Sequence, residues 1–591
     1  MASLPTKKLI NKVDSCVDEA LDGLVAVTPG VLKLAVHRVI IRDDIQAVKE
    51  SGKVTLLSGG GSGHEPAHVG FVGRGMLSGA VAGSVFASPP ISAILAAIQA
   101  VGRGSKAGTL LVVTNYTGDC INFGVAMERA QAEGLLVDMV VVGDDSALSD
   151  QNLSDRRGLS GTIFMYKLAG AMAENGKSLP EIKTAVEAAC ASLGTVGLCL
   201  YPCSVPGAGP SFTLGPDEIG LGLGIHGEAG VKTLQMSNAH TVVTTMLDHM
   251  RAASNNCRLD VQKGDEVALM VNNLGGTSNI EMCIVAREAL SYLDQQGVRV
   301  QRLFCGTFMT SLEMAGVSLT ILRLDQDGHR VSCLDQMTTA RGWPRASRQG
   351  GISLGLELQL PDDPSTDTNL NSGSDEKTTI DKDTFKQLQT ILVAVCDRLV
   401  ENEQLLNDLD TSSGDGDCGS TMRRGAQEMK LWLEKGGEPR LVSDLAGQMS
   451  RIAEQAMGGS SGAFYGLFLL AAQRALVGDP GFAEWVSALK QGMDSIKKHG
   501  KADVGDRTML DPLDAVYRTL SKGVSENRNP VDCFSDAVIA ADQATDATAK
   551  MAARAGRARY VNPDQLGRPD PGATAVSIWL RAALQAMQNT T

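Results

Sequence analysis

Residues 361–383, PDDPSTDTNLNSGSDEKTTIDKD, constrain the fold of this chain more than any other stretch. They are polar, nearly free of large apolar side chains and unable to bury enough surface to order themselves, so they read as a linker. The hydrophobic pattern differs on its two sides. Between about residues 50 and 330, short β-rich apolar runs alternate with helical patterns. Four of these runs end in polar or glycine-rich loops: Val54–Ser58 before GGGSGHEP, Thr109–Thr114 before NYTGD, Val137–Val142 before GDD, and Val267–Asn272 before NLGG. That alternation marks an α/β domain, whose ligands bind at the carboxyl ends of strands. After about residue 384 the apolar residues follow a helical period, starting with Phe385, Leu388, Ile391, Leu392, Val395, Leu399 and Leu405. Further helical segments fall near 421–435, 442–457, 462–476, 482–499, 510–521, 531–553 and 572–588, with no strand pattern among them, so the second domain is expected to be all-α.

Composition narrows the function. The 591 residues exceed what one hydrophobic core serves, so two to four domains are expected. A net charge of −13 argues against nucleic-acid or anionic-membrane binding, which needs a basic face. The first 24 residues carry apolar Leu9, Val13, Val17, Leu21 and Leu24 at helical spacing with charges between them, unlike a signal peptide. No apolar run is long enough to span a bilayer. Twelve scattered cysteines without a CxxC pair suit buried thiols in a reducing cytosol.

The second half concentrates charge in Leu409–Thr421, LDTSSGDGDCGST. Clustering Asp410, Asp415 and Asp417 is unfavourable unless a cation neutralises them, and hard carboxylate oxygens suit Mg²⁺ together with nucleotide phosphates. An acidic turn capping a helix reads the same way. An EF-hand is disfavoured because Thr421 stands where its final Glu belongs. Three more glycine-bearing loops precede helices: MGGSSG at 457–462, GDRTML at 505–510, which offers a cation and a hydroxyl, and DPG at 570–572. Each alone fits simple capping. With the aspartate loop, the four glycine-bearing helix entrances in one all-α domain would instead make a nucleotide site at one rim of a bundle, without a Walker A loop.

In the first half, His64 and His226 stand out of eight histidines because glycines flank them (GGGSGHEP, GLGIHGEAG) and leave room for a ligand. Asp119, in NYTGD, follows a strand in the same way. Asp119 or His64 can act as a base toward a hydroxyl, and an imidazole can hold a carbonyl compound covalently. The residues alone leave these roles open.

Taken in order, GGGSGHEP, NYTGD, GLGIHGEAG, GDGDCG, GGSSG and GDRTML resemble the ATP-dependent dihydroxyacetone kinase family, particularly its bifunctional animal members. The resemblance implies an α/β substrate domain of two subdomains at 1–341 (K-type), an extension and polar linker at 342–385, and an all-α helical-barrel nucleotide domain at 386–591 (L-type). It assigns His226 to a hemiaminal with the substrate carbonyl, Asp119 to the general base and His64 to its assistant. It places Gly61, Ser62, Gly63 and His64 in the substrate loop. Asp410, Asp415 and Asp417 would hold two Mg²⁺ on ATP. Asp415, Gly416, Asp417, Cys418, Ser420, Thr421, Ser460, Ser461, Gly500, Thr508, Met509, Asp570, Pro571 and Gly572 fall on its nucleotide-contacting segments. Family members often carry Lys where this chain has Thr114, a substrate-side position, so a cation is missing from the expected pocket. The implied substrates are dihydroxyacetone and glyceraldehyde. A second implied activity splits FAD to AMP and riboflavin cyclic 4',5'-phosphate with Mn²⁺ or Co²⁺. A homodimer and contact with a cytosolic RNA-sensor protein are also implied. The competing reading is a scaffold that keeps the fold and binds partners.

Overall fold

The strand-forming runs of the first half assemble into two six-stranded sheets. The computed structural model describes residues 7–148, 155–344, 354, 380–412, 414–561 and 566–590. The chain divides into two compact units, Met1–Pro361 and Asp362–Thr591. In the first unit, β1 (Val31–Lys33), β2 (Val39–Arg42), β3 (Thr55–Ser62), β4 (Gly79–Val85), β5 (Thr109–Thr114) and β6 (Val137–Val142) form a sheet of order β1-β2-β4-β3-β5-β6. Strands β4, β3, β5 and β6 run parallel, while β1 and β2 are antiparallel additions at one edge. The second sheet comprises β7 (Leu193–Tyr201), β8 (Glu218–Leu221), β9 (Lys232–Gln235), β10 (Glu266–Asn273), β11 (Arg299–Gly306) and β12 (Ala315–Arg323). Its order is β11-β10-β12-β7-β8-β9, antiparallel except for β10 with β11.

Every residue of β3 and β5 is buried, as expected for central parallel strands covered on both faces. Successive side chains point to opposite faces. Leu57, Leu111 and Val113 pack against the helices Ile91–Gly102 and Thr117–Ala132. Leu56, Leu110 and Val112 share a core with the helix Thr162–Glu174, which also meets Ala268, Met270 and Leu322 of the second sheet. This helix is buried along nearly its whole length, so one core unites the two sheets. The outer face of the second sheet is closed by Ala239–Arg251 and Asn279–Gln295. The loops after β3 and β5 therefore emerge from a rigid, fully covered sheet.

At the N-terminus the helix spans only Cys16–Val27, so Leu9 and Val13, expected on its apolar face, are exposed outside it. The second unit is helical throughout, and no strand occurs among its described residues. Most of the expected linker lies outside the described residues. Its end does not: Asp381 Oδ1 accepts from the backbone N–H groups of Asp383 and Thr384 and caps the helix Lys382–Glu401. The apolar period that ran on to Leu405 is broken at Asn402, where a second helix, Glu403–Asp410, begins. No helix among the described residues is long and apolar enough to cross a membrane.

Candidate active site

The glycine loop that leaves β3 turns sharply at Gly63, whose φ of +100° is open to glycine but strained for any L side chain. A Cβ there would also lie 2.9 Å from the Phe86 ring. The turn delivers His64 into the interior, where Nδ1 lies 2.9 Å from the Thr310 carbonyl and Nε2 is buried without a hydrogen-bond partner. His226 comes from the loop after β8. Its ring is 5.0 Å from His64 in a T-shaped arrangement, 4.4 Å from Tyr116 and 5.7 Å from Phe86. Phe86 stacks on His64 at 5.3 Å. Two histidines separated by 162 positions thus share one aromatic box with Phe86 and Tyr116, neither of which the sequence reading singled out. Tyr116 lies inside NYTGD, and its hydroxyl is buried without a well-formed hydrogen bond.

Burial sets the protonation of this box. It depresses the pKa of His64 well below the ordinary value, reinforced by the charge of His226, while the Thr310 carbonyl opposes the shift. His226 is also depressed, chiefly by burial; Glu228 opposes and Arg157 adds to the effect. Both rings are held neutral, the form that has a nucleophilic nitrogen. Asp119, in the first turn of Thr117–Ala132, is raised by burial, with the Ser88 and Thr114 hydroxyls opposing. Thr114 Oγ1 donates to Asp119 Oδ2 at 3.1 Å, and Oδ1 is buried with no well-formed hydrogen bond. The position that lacks the expected lysine therefore carries a hydroxyl that engages the carboxylate. Ser62 has a local duty, since its Oγ donates to the Gly83 carbonyl at 2.8 Å. Gly61 lets the strand end lie against the backbone of Phe86 and Ala87, where a Cβ would be 2.8 Å from Ala87 N.

In the second unit, Asp410, Asp415 and Asp417 converge, and one carboxylate oxygen of each lies within 4.8 Å of the others. Asp410 is 9% exposed, and its Oδ2 accepts from the N–H groups of Asp417 and Cys418 at 3.0 and 3.2 Å. Burial raises its pKa, those N–H groups oppose, and Asp415 and Asp417 add to the rise. Three hard oxygens in this mutual field fit a divalent cation such as Mg²⁺. The helix that follows starts at Cys418, whose thiol burial pushes up to about 12.

The other flagged loops gather at the same rim. Arg424 Nη2 bonds both Thr421 Oγ1 (2.9 Å) and the Met457 carbonyl (2.7 Å), tying the aspartate loop to GGSSG. There Gly458 and Gly459, at φ +68° and +58°, lead into Gly459–Ala475, with Ser460 and Ser461 in its first turn. A Cβ on Gly500 would meet Phe464 of that helix at 2.8 Å. Arg568 Nη1 donates to the Asp408 carbonyl, joining the DPG turn to the aspartate loop. A Cβ on Gly572 would be 3.8 Å from Met509, and Pro571 starts the last helix. The Thr508 N–H donates to Asp511 Oδ2. Two groups of these loops are taken up by local partners. Arg507, the cation of GDRTML, is buried; it donates to the Arg568 carbonyl and lies 3.6 Å from Asp570, whose pKa burial raises to about 6. Ser420 Oγ is engaged by Glu403 and Asn407.

Residues 22–341 match the Dak1 domain and residues 412–585 the DAK2 domain. Fold and matches together define a protein of paired α/β and helical kinase domains. The chain is 45% identical over 586 residues to the triokinase/FMN cyclase of Bos taurus, covering 99% of this chain and 100% of that one. It is 44% identical over 588 residues to the Homo sapiens triokinase/FMN cyclase, with the same coverage. It is also similar to the crystal structure of the dihydroxyacetone kinase from C. freundii in complex with AMP-PNP and Mg²⁺: TM-score 0.63, 32% identity, 98% of this chain and 99% of that one. The chain belongs to the dihydroxyacetone kinase family.

Proposed function

We propose that the protein transfers the γ-phosphoryl group of ATP to a hydroxyl of dihydroxyacetone or glyceraldehyde. The observation that carries this reading is the box around His226: a neutral imidazole between His64, Phe86 and Tyr116, beside orphaned buried polar atoms that a small polyhydroxy carbonyl compound would satisfy. The unprotonated nitrogen of His226 adds to the carbonyl carbon, the carbonyl oxygen gains the proton that the imidazole loses, and a hemiaminal results. This step selects ketones and aldehydes over glycerol. Asp119, held through Oδ2 by Thr114, presents Oδ1 as base to the reacting hydroxyl, and His64 Nε2 assists. Asp410, Asp415 and Asp417 would hold Mg²⁺, which when bound neutralises phosphate charge. Ser460 and Ser461, in the first turn after the two left-handed glycines, suit the phosphates. The test is coupled ADP release with Mg-ATP and dihydroxyacetone. Turnover by the wild type and none by His226→Ala is expected; equal turnover would overturn the hemiaminal step.

Full-length similarity to triokinase/FMN cyclases supports a second reading, FAD cleavage to AMP and riboflavin cyclic 4',5'-phosphate with Mn²⁺ or Co²⁺. The helical unit would hold the AMP half while a ribityl hydroxyl attacks its own phosphorus. His226→Ala should retain this activity; loss of both activities in parallel would contradict it. A bare scaffold would show no thermal stabilisation by Mg-ATP, whereas a specific ligand raises the melting midpoint. We further propose a cytosolic homodimer, with the K-type and L-type domains on either side of the polar linker. Light scattering that gives a monomer mass would remove the dimer. An RNA-sensor partner rests on the family resemblance alone.

A further inference from the structure

We propose that Asp145, Arg157 and Glu228 form a latch that holds the turn carrying His226 in its carbonyl-capturing position. They are positioning residues for substrate capture. The inference rests on the kinase reading above and assigns a role to residues outside it.

The turn runs from Gly222 to Glu228, and one guanidinium grips both of its ends. Arg157 Nη2 donates to the Gly222 carbonyl at 2.8 Å, and Nη1 contacts Glu228 Oε1 at 3.2 Å. Its third side is anchored in the protein: Nε donates to Asp145 Oδ2 at 2.7 Å. The Asp145 side chain is fully buried, and its other oxygen accepts from the Ala147 N–H at 2.8 Å. The latch then reaches the nucleophile, because Glu228 Oε2 accepts from the backbone N–H of His226 at 2.8 Å. A planar fork with fixed donors suits this three-way grip; an ammonium cannot reproduce it.

The glycines of the loop fit the same arrangement. A Cβ on Gly224 would lie 1.7 Å from Glu228 Oε1 and 3.0 Å from Arg157 Nη1, so the carboxylate occupies the space that a side chain there would fill. Gly222 and Gly227 turn through φ of +77° and +74°, leaving the backbone little intrinsic preference for this path. An external clamp supplies that preference. The charges exclude a simpler explanation. Glu228 favours protonated His226, while Arg157 and burial disfavour it. Removing the Glu228 charge therefore leaves the imidazole still more firmly neutral, so protonation of the nucleophile does not explain a loss, and Gly224→Ala, which keeps every charge, separates misplacement from lowered basicity.

A turn that is competent for only part of the time weakens capture in proportion, while bound substrate still reacts. Glu228→Gln should raise KM for dihydroxyacetone about tenfold and leave kcat within about twofold. Gly224→Ala should do the same with every charge intact. Arg157→Lys should be as impaired as Arg157→Met, which a merely electrostatic role would not produce. The direct readout is carbon-13 NMR with [2-13C]dihydroxyacetone and no ATP: the carbonyl signal should give way to a tetrahedral carbon, with a half-saturation shifted by the same factor in each variant. Should the Arg157 variants fail to fold, Glu228→Gln and Gly224→Ala decide, since the Glu228 side chain is 35% exposed. Variants that form the adduct at wild-type concentrations, or that lose kcat with KM unchanged, overturn the latch alone. A wild type that forms no tetrahedral carbon overturns the hemiaminal reading and the latch with it.

Discussion

The two sites handle charge in opposite ways. In the α/β unit His64 and Asp119 are buried, the imidazoles are neutral and the carboxylate of Asp119 is held by a hydroxyl. At the rim of the helical unit three carboxylates converge, Asp415 and Asp417 are exposed, and both add to the rise of the Asp410 pKa. The first arrangement suits an uncharged molecule, because its imidazoles are neutral and burial already disfavours charge there. The second, on the proposed function, suits a divalent cation carried by a polyanion. One chain thus carries a neutral site and an acidic one.

The largest expected effect separates the two. Asp415→Asn or Asp417→Asn should lower both ADP formation and FAD cleavage by about 10²–10³-fold, while His226→Ala abolishes the first and spares the second. Parallel assays of the same preparations check this, and an aspartate variant that spares either activity breaks the comparison. Next is acidity. His226 stays neutral to a lower pH than an ordinary imidazole, because burial with Arg157 outweighs Glu228. Kinase kcat/KM should therefore lose its His226 contribution only below the ordinary imidazole range, as the pH drops through the depressed pKa. FAD cleavage should lack the His226 limb and show only the limb that both activities share through the raised carboxylates Asp410 and Asp570; superimposable pH profiles would contradict the separation. Smaller is the effect of Thr114→Val. Loss of one hydrogen bond to Asp119 amounts to about 1 kcal/mol, so kcat should fall several-fold, with Thr114→Ser near wild type. Unchanged kcat in the valine variant would show that the hydroxyl does not hold the base.

The strands that carry the site were legible because central parallel strands are continuously apolar: Thr109–Thr114 and Val137–Val142 were read to the residue, and Val54–Ser58 fell inside Thr55–Ser62 but for its first position. Val267–Asn272 likewise falls inside Glu266–Asn273, whereas the short antiparallel strands β1, β2, β8 and β9 have no such signal. β8 and β9 are only four residues each and owe their form to pairing with neighbours, a tertiary effect. His64 and His226 were visible through their glycines. Phe86, Tyr116 and Arg157 were not, since their value depends on contacts across long stretches of chain, 71 residues in the case of Arg157 and Glu228. The inward turn of Arg507 was likewise invisible, because nothing local tells a guanidinium which way to face.

The distribution of thiols has a practical consequence. The three cysteines of the helical unit, Cys396, Cys418 and Cys533, are all buried, and Cys418 beside the aspartates has a pKa pushed to about 12. Almost none of it is thiolate at neutral pH, the form that alkylates or oxidises. Cys283 and Cys305, both in the α/β unit, are exposed. A maleimide dye will therefore mark the α/β unit of the native protein and leave the helical unit untouched, providing a one-sided optical reporter without any engineered cysteine.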